Sequence, residues 1–143
     1  FAERCIYIPR ALYRYHYNPS SATKKASINL FDYYYAMEDA KKHLCSISKG
    51  DDLNNVHAIC DSIEFSWIPR NFVHQFLQII NTNDLTVDKL QGMIQERYPY
   101  LLEKIHPLLI GNRDKNILIN LFIKMFAISP SFAYHLYKVF NHR

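Results

Sequence analysis

Glycine is scarce in this chain, with three residues in 143. That scarcity, beside charges spaced in helical patterns, argues against an all-β protein. Cysteine is scarce too. Cys5, Cys45 and Cys60 form an odd, scattered set with no C-x-x-C pair, which excludes a disulfide framework and points to a reducing compartment. No run approaches the about 18 apolar residues that a membrane span needs, and no signal peptide is visible. Acidic residues are missing from 115–143, which carries Lys115, Lys124, Lys138 and Arg143. At the other end, Arg4, Arg10, Arg14, Lys24 and Lys25 face a single acid, Glu3. Two basic ends point to anionic partners. The basic residues are dispersed and no recognition motif occurs, so no nucleic-acid partner is expected.

What is present is apolar and aromatic: eleven tyrosines and nine phenylalanines, with 49% hydrophobic residues, ample for one core. A chain of this length makes one domain and buries about two-thirds of its unfolded surface. From Ser27 onward the periodicity is helical. Ser27 caps a helix running to about Ser48, and Gly50 ends it. Asp51 or Asp52 caps a second to about Phe65, with Leu53, Val56, Ile59, Cys60 and Ile63 facing inward. Trp67-Ile68-Pro69 breaks it, and Pro69 starts a third with the stripe Phe72, Val73, Phe76, Leu77 and Ile80. Asn81 to Asp84 is a polar turn. Thr86 caps a fourth helix ending near Arg97. Pro99 opens a fifth, interrupted at Pro107, and Gly111-Asn112 closes that region. A sixth runs from about Asp114 to Ile128. Ser129-Pro130 caps a seventh that ends near Phe140.

The first two dozen residues differ from all this. An alternating segment from Cys5 to Ile8 stops at Pro9, and a second from Leu12 to Tyr17 stops at Asn18-Pro19-Ser20-Ser21. Two short strands do not stand alone in water, so they lie on the helices or belong to a domain outside this chain. The pattern Ile6-Tyr7-Ile8-Pro9, Leu12-Tyr13-x-Tyr15, Asn18-Pro19-x-Ser21-x-Thr23 resembles the segment just past the catalytic core of family 2 glycosyltransferases of the GT-A type. The resemblance covers residues 1–24. His16 stands where many members carry Arg, and Tyr13-Arg14-Tyr15-His16 fits a variant form. The family's nucleotide-binding strands, Asp-x-Asp metal motif and acidic base lie upstream in its members. No Asp-x-Asp occurs here, and Asp51-Asp52 follows Gly50 without the strand that motif needs. The resemblance implies a chain that is the C-terminal part of such an enzyme, of bacterial type and engaged in polysaccharide biosynthesis. Its first residue is Phe, which fits a fragment or a processed chain.

Candidate functional residues follow from that resemblance. A departing nucleoside diphosphate gains negative charge in the transition state, which cations stabilise. Arg14 is then a phosphate clamp, His16 a phosphate or metal ligand, and Asn18 and Ser21 shape the turn and offer hydrogen bonds. The competing reading is a strand with one buried and one solvated face. Tyr33 and Tyr34, in the run Phe31 to Tyr35, form either an acceptor-stacking platform or a contact with the catalytic domain; packing is the reading taken. His57 and Cys60 lie three apart on a helix, but no second pair completes a zinc site. Ile117, Leu118, Leu121, Phe122, Met125 and Phe126 fill one stripe, and Phe132, Leu136, Tyr137 and Phe140 another. They are read as bundle core with a basic rim; the alternative is an interfacial membrane anchor.

The expected fold is mainly α: one bundle of five to seven helices (27–143) preceded by a short N-terminal β segment (1–26). The expected function is sugar transfer from a nucleotide-diphosphate donor to a glycan or lipid-linked acceptor. The GT-A catalytic domain lies outside the chain, and a divalent metal, Mg or Mn, is held there. No cofactor is expected in this part, which alone is read as inactive. The expected location is cytoplasmic, peripheral to the inner face of a membrane with an anionic surface. The competing class is a non-enzymatic helical module for protein interaction or membrane-surface binding.

Overall fold

The computed structural model describes residues 26–141. The expected strands, and Arg14, His16, Asn18 and Ser21 with them, lie outside the described residues. The described part is a helical bundle. A 3-10 turn (Ile28–Phe31) leads into α1 (Asp32–Ile47). Then follow α2 (Asp51–Ser62), a π turn (Ile63–Trp67), α3 (Ile68–Asn83), α4 (Val87–Arg97), α5 (Leu101–Ile110), α6 (Ile117–Ile128) and α7 (Pro130–Asn141).

Helix α3 is the axis of the bundle and packs against the 3-10 turn, α4, α5 and α6. Its expected stripe of Phe72, Val73, Phe76, Leu77 and Ile80 is buried. Phe72 meets Phe31 at 5.1 Å between ring centroids, and Phe76 meets Phe126 edge-on at 5.1 Å. These aromatic contacts tie the first turn, the central helix and α6 together. Burying one such ring stabilises the fold by about 1.5–3 kcal/mol relative to leaving it in water.

Several ends follow the sequence closely. Thr86 Oγ1 accepts from the Lys89 N–H and starts α4. Ser129 Oγ accepts from the Phe132 N–H with Pro130 in the first turn of α7. Gly50 adopts φ +58°, where a Cβ is strained, and separates α1 from α2.

Other boundaries move, each for a local reason. Ser27 has extended N-cap geometry but makes no side-chain cap bond, and α1 starts only at Asp32. Asn83 donates to the Ala26 and Ile79 carbonyls, so α3 runs through the expected polar turn to a left-handed Asp84. Pro107 lies inside α5. It and Glu103, whose carbonyl loses a partner there, are both exposed, so solvent faces the gap. Helix α6, expected from about Asp114, starts at Ile117 with Asn116 as its cap: the Asn116 Oδ1 accepts from the Leu118 and Ile119 N–H groups. Ile59, expected inside, is exposed.

The largest departure is at Trp67-Ile68-Pro69, where no break occurs. The chain is helical without interruption from Asp51 to Asn83, through the π turn. Pro69 has no N–H to give the Phe65 carbonyl four residues back. The π turn opens the ladder there, and the Arg113 N–H donates to the Phe65 carbonyl instead, at 2.6 Å. The Arg113 guanidinium lies over the Phe65 ring, 4.9 Å from its centroid. Asp114, its carboxylate nearly buried, pairs with Arg70 at 3.7 Å. The α5–α6 connection thus fills the gap that a proline makes in a distant helix.

Candidate docking surface on the last two helices

Helix α6 is apolar almost all round, and only one side of it is used. Ile123 and Phe126 are buried against the core, with Ile119 partly so. On the opposite side Ile117, Leu121, Lys124 and Ile128 recur at the i, i+4, i+7 and i+11 spacing of a single helix face. Ile117 is 81% exposed, Leu118 77% and Ile128 83%. Helix α7 repeats the arrangement. Ala133 is buried, whereas Phe132, Val139 and Phe140 are exposed and Leu136 half-buried. The core reading of Ile117, Leu118, Leu121, Phe132 and Phe140 therefore fails. Two apolar faces compete on each helix, and α3, α4 and α5 receive one of them.

The hairpin is nonetheless held firmly. Tyr134 donates to Asn81 Oδ1 at 3.2 Å. A groove of about 340 Å3 runs between α3, α6 and α7, floored by Val73, Leu77 and Ile123, with Arg70 and His74 beside it. Lys124 sits within the outward apolar stripe of α6. Lys138 flanks that of α7 and places its ammonium 4.9 Å from the centroid of Tyr134. Lys115 is exposed just before α6. Long lysine stems lie along apolar surface while their charge stays in water. The surface is thus wide, apolar and cationic, a combination a water-facing wall does not require. No helix among the described residues is long and apolar enough to cross a membrane.

Tyr33 and Tyr34 lie elsewhere, on α1. The Tyr33 hydroxyl donates to the Ile68 carbonyl at 3.3 Å, and its ring meets Trp67 edge-on at 5.5 Å. Tyr34 is 5% exposed and donates to Glu38 at 3.3 Å. Burial raises the pKa of both phenols, helped by Tyr34 in the first case and Glu38 in the second. Both rings are engaged with the chain's own helices. Beside them a cavity of about 50 Å3 separates α1 from the π turn, with Lys41, Glu64 and Cys60 on its wall. Among the described residues no group of three or more His, Cys, Asp or Glu side chains is placed to hold a metal ion.

Sequence reasoning named Ile117, Leu121, Phe132 and the lysines of the α6–α7 face but took the apolar ones for core, and it missed Ile128 and Val139. It missed the Phe65–Arg113 contact entirely; the signal was a proline inside an otherwise continuous helical pattern. Comparisons with protein-family models, with curated proteins and with solved structures find no match to this chain.

Proposed function

We propose that residues 26–141 are a docking module that lies on an anionic membrane surface through the outer face of α6 and α7. The observation that carries this is the exposed ridge of Ile117, Leu121, Ile128, Phe132 and Val139 beside Lys115, Lys124 and Lys138, in a stretch with no acid. Apolar burial in the headgroup region and attraction to anionic lipid add, at about 1 kcal/mol for each lysine near the surface. Helices too short to span a membrane serve this role by lying in its plane.

The polypeptide as a whole is, in this proposal, a sugar-transferring enzyme of the GT-A type, located on the cytoplasmic face of the membrane. Its support is the resemblance of residues 1–24, with Arg14 and His16 at the donor diphosphate and the divalent metal in the catalytic domain. The docking module would hold that enzyme where lipid-linked acceptors are. The two parts of the proposal stand on different residues and fail separately.

Flotation with vesicles tests the first part. The chain is expected to rise with phosphatidylglycerol–phosphatidylcholine vesicles, to lose binding as salt is raised, and to stay down with phosphatidylcholine alone. Leu121→Ser combined with Val139→Ser removes the binding. No flotation, or equal flotation of the variant, overturns it. The coding sequence upstream of Phe1 tests the second part: strands with an Asp-x-Asp motif support it, and an open reading frame that starts at Phe1 overturns it.

A further inference from the structure

Helices α1 and α2 form an antiparallel pair joined through Gly50, and one contact fixes their register. The Lys41 ammonium lies 2.5 Å from Glu64 Oε1. One helical turn from this pair toward the connection, four residues on in α1 and four back in α2, stand Cys45 and Cys60. The register therefore sets the two cysteines opposite each other across the α1–α2 contact, and Cys45 is near enough to help raise the Cys60 pKa.

Their surroundings differ. Cys45 is half-exposed and opens, with Glu38, Lys41 and Lys42, onto a surface recess. Cys60 is 4% exposed and lines the inner cavity on the far side of the Lys41–Glu64 pair. Burial raises the Cys60 pKa, while the Lys41 charge acts the other way. One thiol is thus open to a small reagent, and the other waits behind it. Cys60 is also the one buried side chain described in α2, so little else fastens that helix to the bundle.

We infer that Cys45 and Cys60 are an oxidisable dithiol, a modification site that reacts with a hydroperoxide and closes as a disulfide between α1 and α2. The Cys45 thiolate sulfur attacks one peroxide oxygen and the O–O bond breaks. The departing oxygen takes up a proton, leaving a sulfenic acid on Cys45. The Cys60 sulfur then attacks the Cys45 sulfur, the S–O bond breaks, and the leaving hydroxide takes the Cys60 proton as water. Two thiols lose two electrons and two protons, and hydrogen peroxide ends as two waters. Exchange with a small-molecule thiol restores the pair. A reducing compartment is where such a reversible pair reports on oxidant. The inference is independent of what covers α6 and α7.

The test is peptide mapping of the full chain. Native protein is treated with hydrogen peroxide, blocked with N-ethylmaleimide and digested with trypsin. The expected product joins the peptide His43–Lys49 to the peptide Gly50–Arg70, two hydrogens lighter than the sum, and it disappears on treatment with dithiothreitol. In Cys60→Ser the reaction stops at a Cys45 sulfenic acid that dimedone traps, and in Cys45→Ser the Cys60 thiol still takes the alkylating agent. The same treatment in urea, where Cys5 competes freely, loses the preference for this pair. A native chain that links Cys5 instead, or carries Cys45 to sulfinic acid while Cys60 stays alkylatable, overturns the inference.

Discussion

Replacing Phe126 by Ala and Leu121 by Ala, on opposite sides of the same helix, separates an anchored face from an open one. Phe126 is 2% exposed and packs edge-on against Phe76 at 5.1 Å and Phe72 at 6.4 Å. Truncating it removes a ring from the junction of α3 and α6 and leaves a void, which costs about 3–5 kcal/mol. With a urea slope of about 1–3 kcal/mol per molar, that lowers the unfolding midpoint by at least about 1 M. Leu121 is 65% exposed, so the fold recovers only about a third of the about 1.5–3 kcal/mol that full burial of its side chain is worth. Its truncation costs about 0.5–1 kcal/mol, partly offset by alanine's better helix propensity. Urea unfolding followed by circular dichroism reads both variants on one scale. Equal losses would mean that the outer face of α6 is covered by the chain itself, and the exposed ridge would be lost as an argument for docking.

Tyr98→Phe removes the hydroxyl that donates to Asp32 at 2.5 Å and accepts from Arg97 Nε at 3.1 Å, linking the end of α4 to the start of α1. Because Asp32 is exposed, the loss expected in thermal unfolding is about 1 kcal/mol, below that of a fully buried charged hydrogen bond. Stability is expected to fall as pH rises through about 9 to 11. Burial holds the Tyr33, Tyr34 and Tyr98 phenols above their ordinary 10.0 and the Cys60 thiol above 9.0, and the Glu64 hydrogen bond holds Lys41 above 10.5. All five keep their protons longer in the folded chain than in the unfolded one. Their contribution is therefore complete below those values and lost above them; a urea midpoint unchanged across that window would contradict the burial of these groups. Gly111→Ala sets a Cβ 3.1 Å from the Pro107 carbonyl oxygen and 3.2 Å from the Phe65 ring, and should cost about 1–3 kcal/mol in urea unfolding. A neutral result would show that the connection yields without strain.

The sequence displayed what short-range chemistry decides. Thr86 and Ser129-Pro130 mark helix starts because a hydroxyl and a missing N–H act within one turn. The α3 stripe was visible because its other face is polar, which left one choice of inside. Where both faces are apolar the pattern loses that power. Residues 117–128 contain two candidate stripes, and the positions of α3 and α5 select Ile119, Ile123 and Phe126 over Ile117, Leu121 and Ile128. Pro69 misled for a related reason. A proline ends a helix when its orphaned carbonyl finds no donor, and the donor here, Arg113, lies in another connection far along the chain. The register of Cys45 against Cys60 is likewise invisible without the Lys41–Glu64 contact that sets it.

The π turn and the open hairpin are linked by their geometry. Helix α6 begins after a connection whose Arg113 N–H and guanidinium both engage Phe65, and whose Asp114 engages Arg70 one residue beyond Pro69. The direction in which α6 leaves the bundle is therefore fixed at the same point where the long helix is opened. Were residue 69 able to donate, the Phe65 carbonyl would be claimed within its own helix, and the connection would lose its strongest backbone tie. An opened ladder costs hydrogen-bond quality and persists where something else depends on it. What depends on it here is the angle of the hairpin, which keeps one apolar face of α6 on the core and holds the other outward.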